Sequence, residues 1–451
     1  MQFELTDAFI QKVQQLIAAK DSAAVLAVFA EMHPADIADV LDEMAFNDAV
    51  FIIRLLDSET TSDIIEELEE DTRERVLKAL SVTEIAKEID ELETDAAADI
   101  LGELSEDRQD KVIAKLEDKE HAKDIVDLLR YEEDTAGGLM GKELVAVNEN
   151  WNILRCVSEM RKQAEDFEEV YIVFVIDDNG LLKGRLSLKS LLVAPTKSLV
   201  KDIYIPDIHF VNASDEADEV AQIMQKYDLF VLPVVDQVGQ LVGNITLDDV
   251  VDHIRDEAEK DYQLAAGLTD DVEADDSIFE LIKGRLPWLI LGLFGGLGSV
   301  FILEGFESIM VSPRYRTLFF FTPLIAAMAG NVGVQSSAII VQGLANNIIK
   351  GSVWKRLLKE IGLSLFNGVI LALLIIAFGL LMGYDMDFNL TIAISLIAVI
   401  LIAALVGTFV PIALDKKGID PALATGPFIT TSNDIFGIFI FFYIAKMLLG
   451  F

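Results

Sequence analysis

The chain has 451 residues, 52% of them hydrophobic, with 75 acidic against 36 basic side chains and a formal charge of −39 at pH 7. That charge excludes nucleic acid as a partner, because phosphate recognition needs the opposite sign, and the length suits roughly two to four domains. Acidity and hydrophobicity belong to different parts: residues 1–284 hold 26 basic and 67 acidic side chains, net −41, whereas residues 285–451 carry +2.

The first residues, Met-Gln-Phe-Glu-Leu-Thr-Asp, lack the basic n-region and apolar core of a cleaved signal peptide, so none is expected. From there to about residue 130, apolar residues recur at helical spacing in short bursts: Ile37/Leu41/Met44, Ile64/Ile65/Leu68, Ile85/Ile89/Leu92 and Ile100/Leu101/Leu104. Cap-like breaks fall at Asn47, Ser58, Ser81 and Ser105. The pattern predicts an acidic α-helical domain over 1–135, its helix pairs stacked as a small superhelical array. The acidic run Glu66, Glu67, Glu69, Glu70 and Asp71 lies on its outer faces, where such runs are usually solvated surface.

From about residue 138 strands and helices alternate, and an internal repeat emerges. Residues 175–190 match residues 234–249 at an offset of 59. Each copy reads as a β-branched strand, an Asp/Gly turn, a second strand, and a helix begun by Ser187 or Thr246 as N-cap. Two α/β units are expected, over 136–200 and 201–261. Cys156, the single cysteine, has no partner for an internal disulfide and suits a reducing compartment. Beyond the second copy, Asp249, Asp252 and Asp256 fall at i, i+3 and i+7 of a helix, with Glu257 and Asp261 near the same stripe. Like charges so arranged repel, and cations between them would relieve the cost. Residues 262–284 are expected to form a connecting helix that leads into the membrane.

Charge-free runs follow at 286–303, 317–349, 361–384, 388–414 and 421–445, the last interrupted only by Asp434. A spanning helix needs about 20 apolar residues, so five α-helical spans are expected over 285–451. Eight Lys/Arg near one set of span ends (Lys283, Arg285, Lys350, Lys355, Arg356, Lys359, Lys416, Lys417) face three on the other (Arg314, Arg316, Lys446), which puts the acidic part in the cytoplasm. Asp434 is the ionisable group well inside a run. Such residues face a pore or a partner; helix–helix bonding or a protonated acid is the plainer alternative. With Gly426 and Pro427 loosening the backbone and Thr430, Thr431 and Ser432 adding hydroxyls, the segment offers hard oxygen donors suited to a hard cation. Asn331, Gln335, Ser336 and Ser337 supply neutral oxygens for either pore lining or interhelical bonds, and Gly292, Gly295, Gly296 and Gly298 read as packing surface.

Taken together, the helical domain, the segment Arg130–Met140, the repeated pair, the Gly330–Ser337 segment and Asp420-Pro421 through Pro427, Asp434 and Gly437 resemble the MgtE family of magnesium channels. The repeated pair itself resembles tandem CBS domains. The resemblance implies a homodimer with ten spans around one axial pore, in the plasma or inner membrane, and no enzymatic activity. It implies that Asp434 meets the permeating hydrated ion, with Asn331 matching a pore asparagine. It also implies cytoplasmic Mg2+-sensing acids at Glu216, Asp218, Asp228, Asp249, Asp252, Glu257 and Asp261, with Lys260 standing where an acid is expected. Mg2+ would then be both substrate and regulator, closing the channel by binding among the acidic helical, CBS and connecting elements. Mn2+, Co2+ and Ni2+ are further candidate ions, since Gly426 replaces the family's asparagine and predicts looser selectivity. ATP is a candidate ligand of the CBS pair: Gly243, Thr246 and Asp249 keep the nucleotide pattern, but the first copy has Lys189-Ser190 in place of the ribose-binding acid. The nearest rival function is a proton-coupled divalent-metal transporter, because an intramembrane acid can relay protons. A membrane metalloprotease lacks its zinc site, all four histidines lying in the acidic part.

Overall fold

A computed structural model describes residues 3–165, 170–269, 272, 277–307, 315–345, 349, 352–424 and 426–450. The chain divides into two compact units, Met1–Ile254 and Arg255–Phe451.

The first unit opens with ten short helices: α1 (Asp7–Ala18), α2 (Ser22–Phe29), α3 (Pro34–Asp42), α4 (Phe46–Ile53), α5 (Ser58–Glu67), α6 (Glu70–Ala79), α7 (Val82–Glu91), α8 (Thr94–Gly102), α9 (Glu106–Ile113) and α10 (Lys119–Leu128). Helices this short are marginal alone, so stacking must hold them. Every apolar residue of the four predicted bursts is buried except Leu104, which is half-buried. The predicted breaks shift slightly. Ser81 caps α7 in a reciprocal capping box with Glu84, and Ser105 occupies the N-cap of α9 without a side-chain bond. Ser58 is instead the first helical residue of α5, because the neighbouring Asp57 accepts the Thr60 N–H, and Asn47 lies within α4. The repeat is visible in the starts of α3, α5, α7 and α9 at Pro34, Ser58, Val82 and Glu106, 24 residues apart, and side chains 30 residues apart tie successive units together: Arg54–Glu84, Ser58–Glu88 and Arg73–Glu103.

The two CBS copies share one topology. In the first, β1 (Val145–Asn148) pairs parallel with β2 (Val173–Ile176), which pairs antiparallel with β3 (Leu182–Leu186). In the second, β4 (Val211–Asn212), β5 (Val231–Val235) and β6 (Leu241–Thr246) repeat the order. The helices are α11 (Ile153–Gln163), α12 (Leu188–Val193), α13 (Ala217–Tyr227) and α14 (Leu247–Ala266). Pseudo-twofold symmetry joins the copies: Leu182 N–H donates to Gly239 O and Leu241 N–H to Gly180 O, each at 3.1 Å. Residues 136–141, expected at the start of the first copy, pair with the second. Ala136 N–H donates to Asp215 O at 2.8 Å, and Gly141 exchanges backbone bonds with Asn244 at 2.9 and 3.0 Å. Accordingly one buried cluster runs from Val13 through Ala136 and Met140 to Leu232, Ile245 and Val250, whereas the first copy has a separate core of Val145, Val147, Cys156, Val173 and Val175. Burial holds the Cys156 thiol up at about 11, so it is inert packing.

In the second unit α14 ends at Gly267, whose φ of +79° reverses the chain. The stretch 262–284 is therefore not one connecting helix: α14 stops at Ala266, and α15 (Ile278–Gly305) starts with a Ser277/Glu280 capping box and runs through Pro287. Then come α16 (Thr322–Ala345), α17 (Val353–Leu381), α18 (Met386–Asp415) and α19 (Gly426–Leu449). With the 3-10 turn Arg316–Phe321 leading α16, these are five helices long and apolar enough to cross a membrane. Of the basic residues used for orientation, Arg314 and Lys350 lie outside the described residues. α16, α18 and α19 pack mutually, α17 lies on α18, and α15 on α19. Glycines make these crossings close. A Cβ on Gly407 would sit 2.3 Å from Gly333 O, and one on Gly295 would sit 1.7 Å from Thr431 Cγ2. Gly298 likewise meets Ile435, but Gly292 and Gly296 face open space, so only half of the first-span glycines pack within the chain.

Candidate metal centres

The membrane centre is built where α19 crosses α16. Thr430 Oγ1 donates back to Gly426 O at 2.9 Å, the i−4 back-bond of a helical threonine. Thr430 and Asp434, one turn apart, both stand over Gly330: a Cβ there would lie 3.2 Å from Thr430 Cγ2 and 3.4 Å from Asp434 Oδ1. Asp434 is half-buried, and the adjacent Asn331 is exposed, as is Gln335 one turn on. The crossing thus sets a carboxylate against glycine backbone, with a carboxamide on the next residue of α16, and oxygen donors of this kind suit a hard cation. Ser336 and Ser337 are buried instead, and Ser336 Oγ donates to Glu360 Oε1 at 2.7 Å, so Ser336 joins helices. Glu360 was missed in the sequence because it ends a charge-free run; α17 begins two turns earlier and carries it inward.

The residue Gly426 has a structural role. Its φ is +52°, and a Cβ on it would lie 2.4 Å from Ala265 O at the end of α14. Gly267, two residues past that carbonyl, leaves no room for a side chain either, since its Cβ would lie 2.2 Å from Pro427 Cγ. Two glycines therefore let the α14 terminus rest directly on the first turn of α19.

The second centre lies within the first unit, where the helical domain meets the second CBS copy. Asp249 caps its own helix: its Oδ2 accepts from both the backbone N–H and the hydroxyl of Thr246. Desolvation nevertheless raises its pKa, with Asp248 and Asp252 adding repulsion. Opposite stand acids that the sequence could not assign. Burial raises Asp95 well above the carboxylate range, with Asp249 and Glu143 as the next causes. Glu66 and Asp99 keep an edge open to solvent, yet desolvation in this crowd of carboxylates, Asp249 included, holds each up at about 7. Carboxylate oxygens of Glu93, Asp95 and Glu143 lie within 4.8 Å of one another. Thr94 fixes Glu143 through its N–H at 3.0 Å and its hydroxyl at 2.8 Å. Carboxylates held this close offer oxygen ligands to a divalent cation, whose charge would offset their mutual repulsion.

The other expected positions are spread out. Glu216 is exposed at the N-cap of α13, and Asp218 in its first turn lies 3.4 Å from His253 Nε2. Asp228 ends the same helix in a left-handed conformation, about 15 Å from Asp218 along its axis at 1.5 Å per residue. Asp252 is exposed, Asp261 is half-buried, and Glu257 pairs with Lys260 at 3.2 Å, so the misplaced lysine neutralises one expected ligand. For a nucleotide, Ser190 stands where a ribose-binding acid is expected, and Asp249 already serves Thr246.

Comparison with known proteins agrees with this layout. Residues 322–444 match the MgtE divalent cation transporter family, residues 32–134 the MgtE intracellular N domain, and residues 136–197 and 200–256 CBS domains. The chain is 36% identical over 325 residues to the magnesium transporter MgtE of Thermus thermophilus, spanning 71% of this chain and 72% of that one. It is 35% identical over 322 residues to the Enterococcus faecalis protein of the same name, spanning 71% and 70%. Among solved structures, the cytosolic domain of the Mg2+ channel MgtE in complex with ATP superposes with a TM-score of 0.51 at 33% identity, covering 54% of this chain and 99% of that one.

Proposed function

Because the chain belongs to the MgtE family of magnesium transporters, we propose that it is a Mg2+ channel of the cell membrane, working as a homodimer and closed by cytoplasmic Mg2+. The observation that carries this reading is the carboxylate of Asp434 over Gly330, beside the exposed Asn331. Mg2+ gives up its waters reluctantly, so two symmetry-related Asp434 carboxylates would hold the ion through its water shell. One acid per subunit keeps binding weak enough for the ion to leave. Gly426 in place of the family's asparagine favours passage of Mn2+, Co2+ and Ni2+ as well.

Regulation follows from the acids. Without Mg2+ the carboxylates around Asp249 and along α14 repel one another. Bound Mg2+ favours whichever arrangement brings them together, and closure follows if that arrangement binds the ion more tightly. Driving a channel from 1:99 to 99:1 closed takes about 5.5 kcal/mol of such preference, which several modest sites supply together. The basic residues flanking the spans support a cytoplasmic position for the N-terminal acidic part. ATP would bind without the first copy's ribose carboxylate, so titration calorimetry should find weak binding.

Mg2+ uptake into liposomes tests the core of the proposal. Asp434→Ala should abolish uptake while the dimer persists in size-exclusion chromatography. Uptake unchanged by that substitution overturns the pore assignment, and lumenal acidification coupled to uptake would favour a proton-coupled transporter instead.

A further inference from the structure

The residue before the pore acid has no role in what precedes. Asn433 is 1% exposed, and neither its Oδ1 nor its Nδ2 has a hydrogen-bond partner. An asparagine inside a membrane helix ordinarily bonds to a neighbouring helix. Among the described residues this one does not, so its polarity needs another explanation. Its position supplies one. A Cβ on Gly333 would lie 1.8 Å from Asn433 Nδ2 and 2.8 Å from Ile429 Cγ2. The same glycine presents its carbonyl to Gly407 of α18, so three helices meet at one point. The flat amide lies closer to the glycine backbone than a branched aliphatic side chain could.

The two contacts are in register. Ile429 and Asn433 share Gly333, while Thr430 and Asp434 share Gly330, each pair one helical turn apart on α19 and the glycines one turn apart on α16. Rotation of α19 that moved Asn433 out of its notch would carry Asp434 off Gly330. We propose that Asn433 is a positioning residue for ion conduction, keyed into the Gly333 notch so that the neighbouring carboxylate faces the ion path. The proposal rests on Asp434 meeting the ion.

The test is Mg2+ uptake by reconstituted full-length protein, recording the half-saturating Mg2+ concentration separately from maximal flux and from the yield of folded dimer. Asn433→Ala should raise half-saturation about tenfold, the scale expected when a charged group is displaced by a fraction of an ångström to an ångström, with dimer yield kept. Gly333→Ala alone should abolish uptake, and adding Asn433→Ala to it should restore flux, because the shortened side chain makes room for the new methyl. Unchanged half-saturation in Asn433→Ala, or no rescue in the double variant, overturns the proposal. Asp434→Ala run alongside separates the failures: an active Asp434→Ala variant sinks the pore assignment itself, whereas an inactive one beside a normal Asn433→Ala variant sinks only the positioning role.

Discussion

The acids around Asp249 should make the first unit's stability respond to Mg2+ and pH in a linked way. Glu66 and Asp99 stand at about 7, and Asp95 and Asp249 are also raised. Acids whose folded pKa exceeds the unfolded value bind more protons when folded, so stability falls as pH rises between the two values. Without divalent ions, stability should therefore increase on acidification from about pH 7 toward pH 4, against the usual trend for acid denaturation. A cation binding only the folded cluster adds about 2.7 kcal/mol at a concentration 100 times its dissociation constant. At about 2–4 °C per kcal/mol for a domain of this size, one occupied site raises Tm by roughly 5–10 °C at pH 7 and much less at pH 5. The assay is a thermal melt followed at the backbone amides of the helical domain, with Mg2+ compared against NaCl of equal ionic strength, for wild type and Asp249→Asn. The substitution should raise the metal-free Tm, by removing repulsion, and cut the Mg2+ response by half or more. A Mg2+ effect no larger than that of NaCl, or an unaltered response in Asp249→Asn, would refute the cluster as a cation site, since screening alone acts through ionic strength.

Two further outcomes follow from packing. Gly267→Ala places a methyl at a left-handed backbone position, about 1–2 kcal/mol, and against the Pro427 ring, about 1–3 kcal/mol more. The α14 terminus should leave α19, and patch-clamp open probability should stay high at the millimolar Mg2+ that, under the proposed gating, is expected to close the wild type; normal closure would show that this contact plays no part in gating. Leu232→Ala, fully buried in the core shared by the helical domain and second CBS copy, should cost about 2–5 kcal/mol and speed hydrogen exchange in both regions together. Val173→Ala in the separate core should affect the first copy alone, and exchange changes confined to the second copy in Leu232→Ala would deny the shared core.

Hydropathy and periodicity are local properties, so the sequence by itself determined what depends on them. Five spans, the helical array with Ile37, Ile64, Ile85 and Leu101 inward, the 59-residue repeat and the isolated intramembrane Asp434 all follow from residues near one another in the chain. Periodicity says which face of an element is buried, never what lies across from it. Only the tertiary structure decided that Asp249 comes near enough to Glu66, Asp95 and Asp99 to raise their pKa values, that residues 136–141 pair with the second copy rather than the first, and that Gly426 receives the end of α14. It also broke the expected connecting helix at Gly267 and drew Glu360 inward to Ser336. Each of these joins groups separated by tens to hundreds of residues, and their pairing is set by the packing of whole elements, an energy that no local window contains.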